Sequence, residues 1–96
     1  MKSYVIFYVE DISDPAALKA YQQTAHPTLA QHGGKVIVAY GRQEVVEGDA
    51  IKGVVEIEFE SYEAAQGWYH SEGYQSAKKL RDGGVRCHVV IVEAKG

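Results

Sequence analysis

The stretch Gly53-Val54-Val55-Glu56-Ile57-Glu58-Phe59-Glu60-Ser61 decides the fold. Val55, Ile57 and Phe59 alternate with Glu56, Glu58 and Glu60, the period of two that marks a strand with one buried face. Ser61 then offers a helix cap, and Glu63 puts a negative charge in the first turn, where the helix dipole favours it. Ala64, Ala65 and Trp68 follow at helical spacing. A strand therefore runs directly into a helix whose apolar stripe must cover it.

Working toward the C-terminus, Gly67, Ser71 and Gly73 weaken the helical pattern. The expectation is a helix from Tyr62 to His70, a restart capped by Ser71, and a second stretch carrying Ala77 and Leu80 to Asp82. Gly83-Gly84 stops it, and Arg86 to Glu93 is the last strand. Toward the N-terminus, Gly48-Asp49 makes a turn, Lys35 to Tyr40 reads as a strand, and Arg42 to Glu47 either extends it or forms a short fifth one. Leu18, Tyr21, Ala25 and Leu29 define an earlier helix, with Asp14 as its cap, Pro15 at its first position and Gly33-Gly34 at its end. Pro27 predicts a kink near Thr24 or a break into a second short helix, because proline lacks the N–H of the helical ladder. Tyr4 to Val9, β-branched and aromatic, is the first strand.

The order is βαββαβ. It predicts an α+β, ferredoxin-like fold with an antiparallel sheet of four or five strands and two helices on one face. Ninety-six residues and 10.6 kDa make one domain, residues 1–96. Folding a chain of this size buries only about 64% of its surface, which leaves little stability in reserve. The strands nevertheless carry more apolar surface than one set of helices can cover: Tyr4, Ile6 and Tyr8 stand opposite Val5, Phe7 and Val9, and Val90 and Val92 opposite Val89 and Ile91. An apolar sheet face left in water is an association site, so the expected partner is a second copy, a homodimer through the open sheet face.

Charge and motif content exclude several classes. Ten basic against thirteen acidic residues give a net charge of -3, with no basic cluster beyond Lys78-Lys79, so nucleic acid is not an expected partner. No apolar run is long enough to span or enter a membrane, and a cytoplasmic location is the expectation. The lone Cys87 has no internal disulfide partner and reads as a buried, inert thiol. His26 and His32, six residues apart, cannot share a ligand sphere on one helix, so no metal is expected. With neither a P-loop, a Rossmann fingerprint nor a nucleophile elbow, no cofactor is expected either.

The run Glu58-Phe59-x-Ser61-x-x-x-Ala65-x-x-Trp68-Tyr69-x-Ser71-x-x-Tyr74-Gln75, with Asp14-Pro15, Tyr21, Pro27, Gly33-Gly34, Val46-Glu47-Gly48 and Arg81, resembles the domain of unknown function 1330 family over nearly the whole chain. That resemblance implies the dimeric α+β barrel superfamily, in which two sheets close on each other. Many members of the family carry an arginine-glycine pair at the end of the second strand. Tyr40-Gly41-Arg42 stands here instead, so a guanidinium role at that place is either displaced or absent.

Strand parity then proposes a site. If Val55, Ile57 and Phe59 face the helices, Glu56 and Glu58 face the barrel interior, joined by Tyr4, Tyr8, Tyr40 and His88. A carboxylate, phenols and an imidazole around apolar strands fit a small-molecule site. The candidate ligand-binding residues are Tyr4, Tyr8, Tyr40, Arg42 and Trp68, although Trp68 in an apolar helical stripe is first a core residue. Two functions remain in view. One is a homodimeric protein that binds a small, partly apolar molecule in the barrel cavity. The other is a cofactor-independent enzyme, monooxygenase- or isomerase-like, with Glu58 or His88 as catalytic proton acceptor.

Overall fold

A computed structural model describes all 96 residues. The alternation at the centre of the sequence is realised as a strand, Gly53–Phe59, in which Ile57 and Phe59 are buried beneath the helices. Its neighbours complete the order expected: β1 (Ser3–Ile12), α1 (Pro15–Ala25), a 3-10 segment (His26–His32), β2 (Lys35–Ala39), β3 (Gly53–Phe59), α2 (Tyr62–Tyr69), α3 (Glu72–Lys79) and β4 (Val85–Glu93). All pairings are antiparallel, and the strands lie in the order β2-β3-β1-β4.

The caps are those the sequence offers. Asp14 Oδ1 accepts hydrogen bonds from the amides of Ala16 and Ala17, Ser61 Oγ from that of Ala64, and Ser71 Oγ from that of Tyr74. Pro27 has the effect foreseen. Helix α1 ends at Ala25, and the chain tightens into the 3-10 segment until Gly33, whose left-handed φ of 69° closes it.

One expectation is corrected. Arg42 to Glu47 forms no strand, so the sheet has four strands and not five. The chain leaves the sheet edge at Tyr40, which adopts a φ of 55°, and all residues from 41 to 50 are exposed.

The core lies between the sheet and the helices. Val5, Phe7 and Val9 from β1 and Ile57 and Phe59 from β3 meet Ala65 and Trp68 of α2 and Tyr74 and Ala77 of α3. Trp68, 1% exposed, is its centre: its ring centroid lies 4.3 Å from Tyr74, 5.6 Å from Phe59 and 6.4 Å from Phe7. Its indole Nε1 donates to Thr28 Oγ1 at 2.9 Å, so the one polar atom of the ring is satisfied while the rest packs. The opposite sheet face carries Tyr4, Ile6, Tyr8, Val54, Val90 and Val92 with no element over it.

Removing the Phe59 ring from this cluster is expected to cost about 3–5 kcal/mol, and removing the Ser61 cap about 1 kcal/mol. Urea unfolding of Phe59→Ala and Ser61→Ala checks the order. Equal midpoints for the two variants would contradict this account of the core.

Candidate functional site

The candidate residues divide between the two sides of the sheet. Parity places Tyr4, Tyr8, Glu58 and His88 on the open face as expected, and the register pairs Tyr4 with Glu58 and Tyr8 with His88. The Tyr8 and His88 rings are 6.2 Å apart. These two pairs sit four residues apart along β1, roughly 13 Å at about 3.3 Å per residue, so Glu58 and His88 do not meet within one chain. Lys2 Nζ bridges Glu58 Oε2 and Glu60 Oε1, each at 3.3 Å. Arg42 is exposed in the connection between β2 and β3.

Tyr40 departs from the parity reading and lies on the helix side. Two backbone irregularities explain it. A register shift between Val36 and Val38 lets both Val36 and Ala39 face the helices, and the positive φ of Tyr40 then turns its ring inward over Gly53. A Cβ at position 53 would fall 2.3 Å from Tyr40 Cδ1, so only glycine admits the ring there. Positive φ is costly for a tyrosine and persists where surrounding structure enforces it.

What Tyr40 borders is a cavity of about 460 Å³ between the sheet and the helices. Fourteen of its eighteen lining residues are hydrophobic, among them Phe7, Ile57 and Trp68; the polar ones are Gln22, Gln23, His26 and Arg81. Its volume and lining match those of small-molecule sites. The concave space of the single chain is therefore on the helix side of the sheet, and it opens to solvent.

Arg81 is the residue that motif and periodicity did not single out as a site. It lies just past the end of α3, where the chain turns through Gly83 at a φ of 85° into β4, and the Gly84 and Val85 amides donate to its carbonyl. The side chain is 5% exposed, yet no carboxylate lies within ion-pair distance. Its guanidinium sits 4.9 Å from the centroid of the Tyr21 ring, a cation–π contact, and Nη2 donates to Tyr74 Oη at 3.3 Å. Tyr74 Oη is 2.8 Å from Tyr21 Oη. Arg81 Nε is buried with no acceptor. Burial works against the guanidinium charge, but the Tyr74 hydrogen bond and the two phenols hold its pKa above the ordinary arginine value, so the charge is retained.

The neighbouring groups stay neutral. Burial, and then the Tyr74 contact, push the Tyr21 phenol far above its ordinary pKa of 10.0; burial likewise raises Tyr74. Tyr40 and Cys87 are raised by burial, with the Arg81 charge opposing it in both. Neither a tyrosinate nor a thiolate forms there near neutral pH. No group of three metal-ligating side chains occurs.

The domain of unknown function 1330 model matches residues 2–95. No curated protein matches the chain. Among solved structures, a protein of unknown function from Rhodopseudomonas palustris superposes with a TM-score of 0.75 at 20% identity, over 99% of this chain and 83% of that one. A dimeric ferredoxin-like protein of unknown function from Jannaschia sp. gives 0.67 at 13% identity, over 98% and 100%. A cofactor-independent oxygenase from Streptomyces nogalater gives 0.60 at 16%, over 99% and 92%. At these identities the likeness is one of fold, and the fold is ferredoxin-like.

Because the folded protein holds the Tyr21 and Tyr74 protons more tightly than the unfolded chain, the stability these two phenols contribute is present below their ordinary pKa of 10.0 and is lost as pH rises through and beyond it, where only the unfolded chain ionises. Tyr21→Phe removes one of the two groups and should lose stability less steeply between about pH 9.5 and 11. Identical melting-temperature profiles for the two proteins would overturn this.

Proposed function

The chain belongs to the domain of unknown function 1330 family, and on that premise we propose that it is a homodimeric small-molecule-binding protein, holding one partly apolar ligand in the helix-side cavity of each subunit. The observation that carries the reading is the cavity itself: about 460 Å³, walled mainly by apolar side chains, with a charged guanidinium at its edge. Neutral, high-pKa phenols and thiol favour holding a ligand over attacking it. Relative to the strand-parity reading, the ligand moves from the open face to the covered one, and Trp68 and Tyr40 stay in the site.

The dimer rests on the exposed apolar sheet face, where Tyr8 is 37% and Val92 is 41% exposed with no element to cover them. The ferredoxin-like protein from Jannaschia sp. is described as dimeric, in keeping with this assembly. The other reading, an enzyme with Glu58 or His88 as proton acceptor, takes its support from the cofactor-independent oxygenase of the same fold and needs the space between two such faces. Glu58→Gln separates the two: it leaves a helix-side ligand bound and removes turnover that depends on the carboxylate.

Nile red, a neutral apolar fluorophore, is expected to bind with enhanced emission, and Ala39→Trp, which adds an indole to the cavity wall, should weaken binding several-fold. Binding that ignores the Ala39→Trp change places the dye elsewhere and defeats the cavity reading. Light scattering is expected to give twice the 10.6 kDa chain mass. Val90→Glu, which sets a charge on the open face, should shift it to the monomer. A wild-type monomer at micromolar concentration removes the dimer from the proposal.

A further inference from the structure

Resting on the cavity reading above, we infer that the ligand is an anion: a small apolar molecule with a carboxylate, or an equivalent planar oxyanion, seated against Arg81. Arg81 Nη2 can only donate, so Tyr74 Oη accepts from it. Tyr74 is fully buried and its hydroxyl has one other neighbour, Tyr21 Oη at 2.8 Å. Its own O–H must therefore be given to Tyr21, since otherwise a buried donor would be left unmade. Tyr21, whose oxygen now accepts, keeps its O–H for a partner beyond the pair, and Tyr21 lines the cavity where Tyr74 does not. The relay runs from Arg81 through Tyr74 to Tyr21 and ends on a donor at the cavity wall.

Arg81 adds a charge. Its Nε–H is buried without an acceptor, and the residue lines the same cavity. A buried donor and a buried positive charge, with no carboxylate from the chain to meet them, form an arrangement that folding alone would select against. A ligand carboxylate compensates the charge where Arg81 borders the cavity, and no proton has to move. The rest of the wall, with Phe7, Leu29, Ile57 and Trp68, calls for an apolar body on that anion. A cationic ligand is disfavoured by Arg81 directly, and a neutral one leaves the guanidinium uncompensated.

Cinnamate, its neutral isostere cinnamamide and the cation cinnamylamine test the inference on the full-length protein. Affinities come from calorimetry, and the single indole N–H resonance, that of Trp68, reports by NMR whether the compound is in the cavity. Cinnamate should bind about 10- to 100-fold more tightly than cinnamamide, the usual effect of a charge-assisted hydrogen bond in a buried site, and cinnamylamine should not bind. Arg81→Gln should bring acid and amide to equal affinity. Tyr21→Phe, which keeps the ring packing and serves if Arg81→Gln fails to fold, should weaken cinnamate about three- to tenfold and cinnamamide by a smaller factor. Equal affinity of the wild type for acid and amide, with the Trp68 resonance moving in both, overturns the anion while the cavity stands. If no compound moves that resonance and Nile red also fails to bind, the cavity reading falls with it.

Discussion

Everything in this fold leans on the packing of one indole. Trp68 touches the sheet through Phe7 and Phe59, touches α3 through Tyr74, and ties its only polar atom to Thr28 of the 3-10 segment. Four separate pieces of chain are thus referred to a single rigid plate. Aromatic contacts of this kind bury large area at low entropic cost, which matters in a chain of 96 residues whose core contains few other large side chains. The cavity begins where this packing stops. Trp68 forms part of its wall, so the same ring that completes the core also limits it.

The sheet has two apolar sides, and they differ in kind. One is filled near Trp68 and left hollow toward β2, α1 and the turn that carries Arg81. The other is a continuous surface of tyrosine and aliphatic side chains crossed by Glu56, Glu58 and His88. Local chemistry follows the difference. On the open side the carboxylate of Glu58 keeps a lysine partner in contact with water, whereas on the covered side a guanidinium is shut away with phenols for company.

Much of the fold was legible because its signals are local. Alternation in β3, the Asp14, Ser61 and Ser71 caps and the break at Pro27 each depend on a few consecutive residues, and each is present where it was read. The core assignments of Phe7, Phe59 and Trp68 hold for the same reason. The cavity was legible only in part: Phe7, Leu29, Ile57 and Trp68 face it as their periodicity implies, whereas β2 breaks the period. A register shift in β2 and one positive φ at Tyr40 reverse the side a parity count would give. Arg81 carries even less local signal: it stands after a helix end, among turn residues, and its isolation from any acid is a fact of three-dimensional neighbours. Arg42 to Glu47 failed as a strand because no neighbouring strand is offered to them beyond Tyr40.

The strand order also governs when the molecule can come into being. Strand β1 is the first to leave the ribosome, yet it lies inside the sheet, between β3 and β4, and both of those partners are made later. Its pairing with β3 must wait until the chain has grown through Phe59, and its pairing with β4 until Glu93. Pairings between distant parts of a chain form slowly and only after the loop between them is closed. The central strand, apolar on both faces, is thus the segment left exposed for the longest time before the sheet is complete.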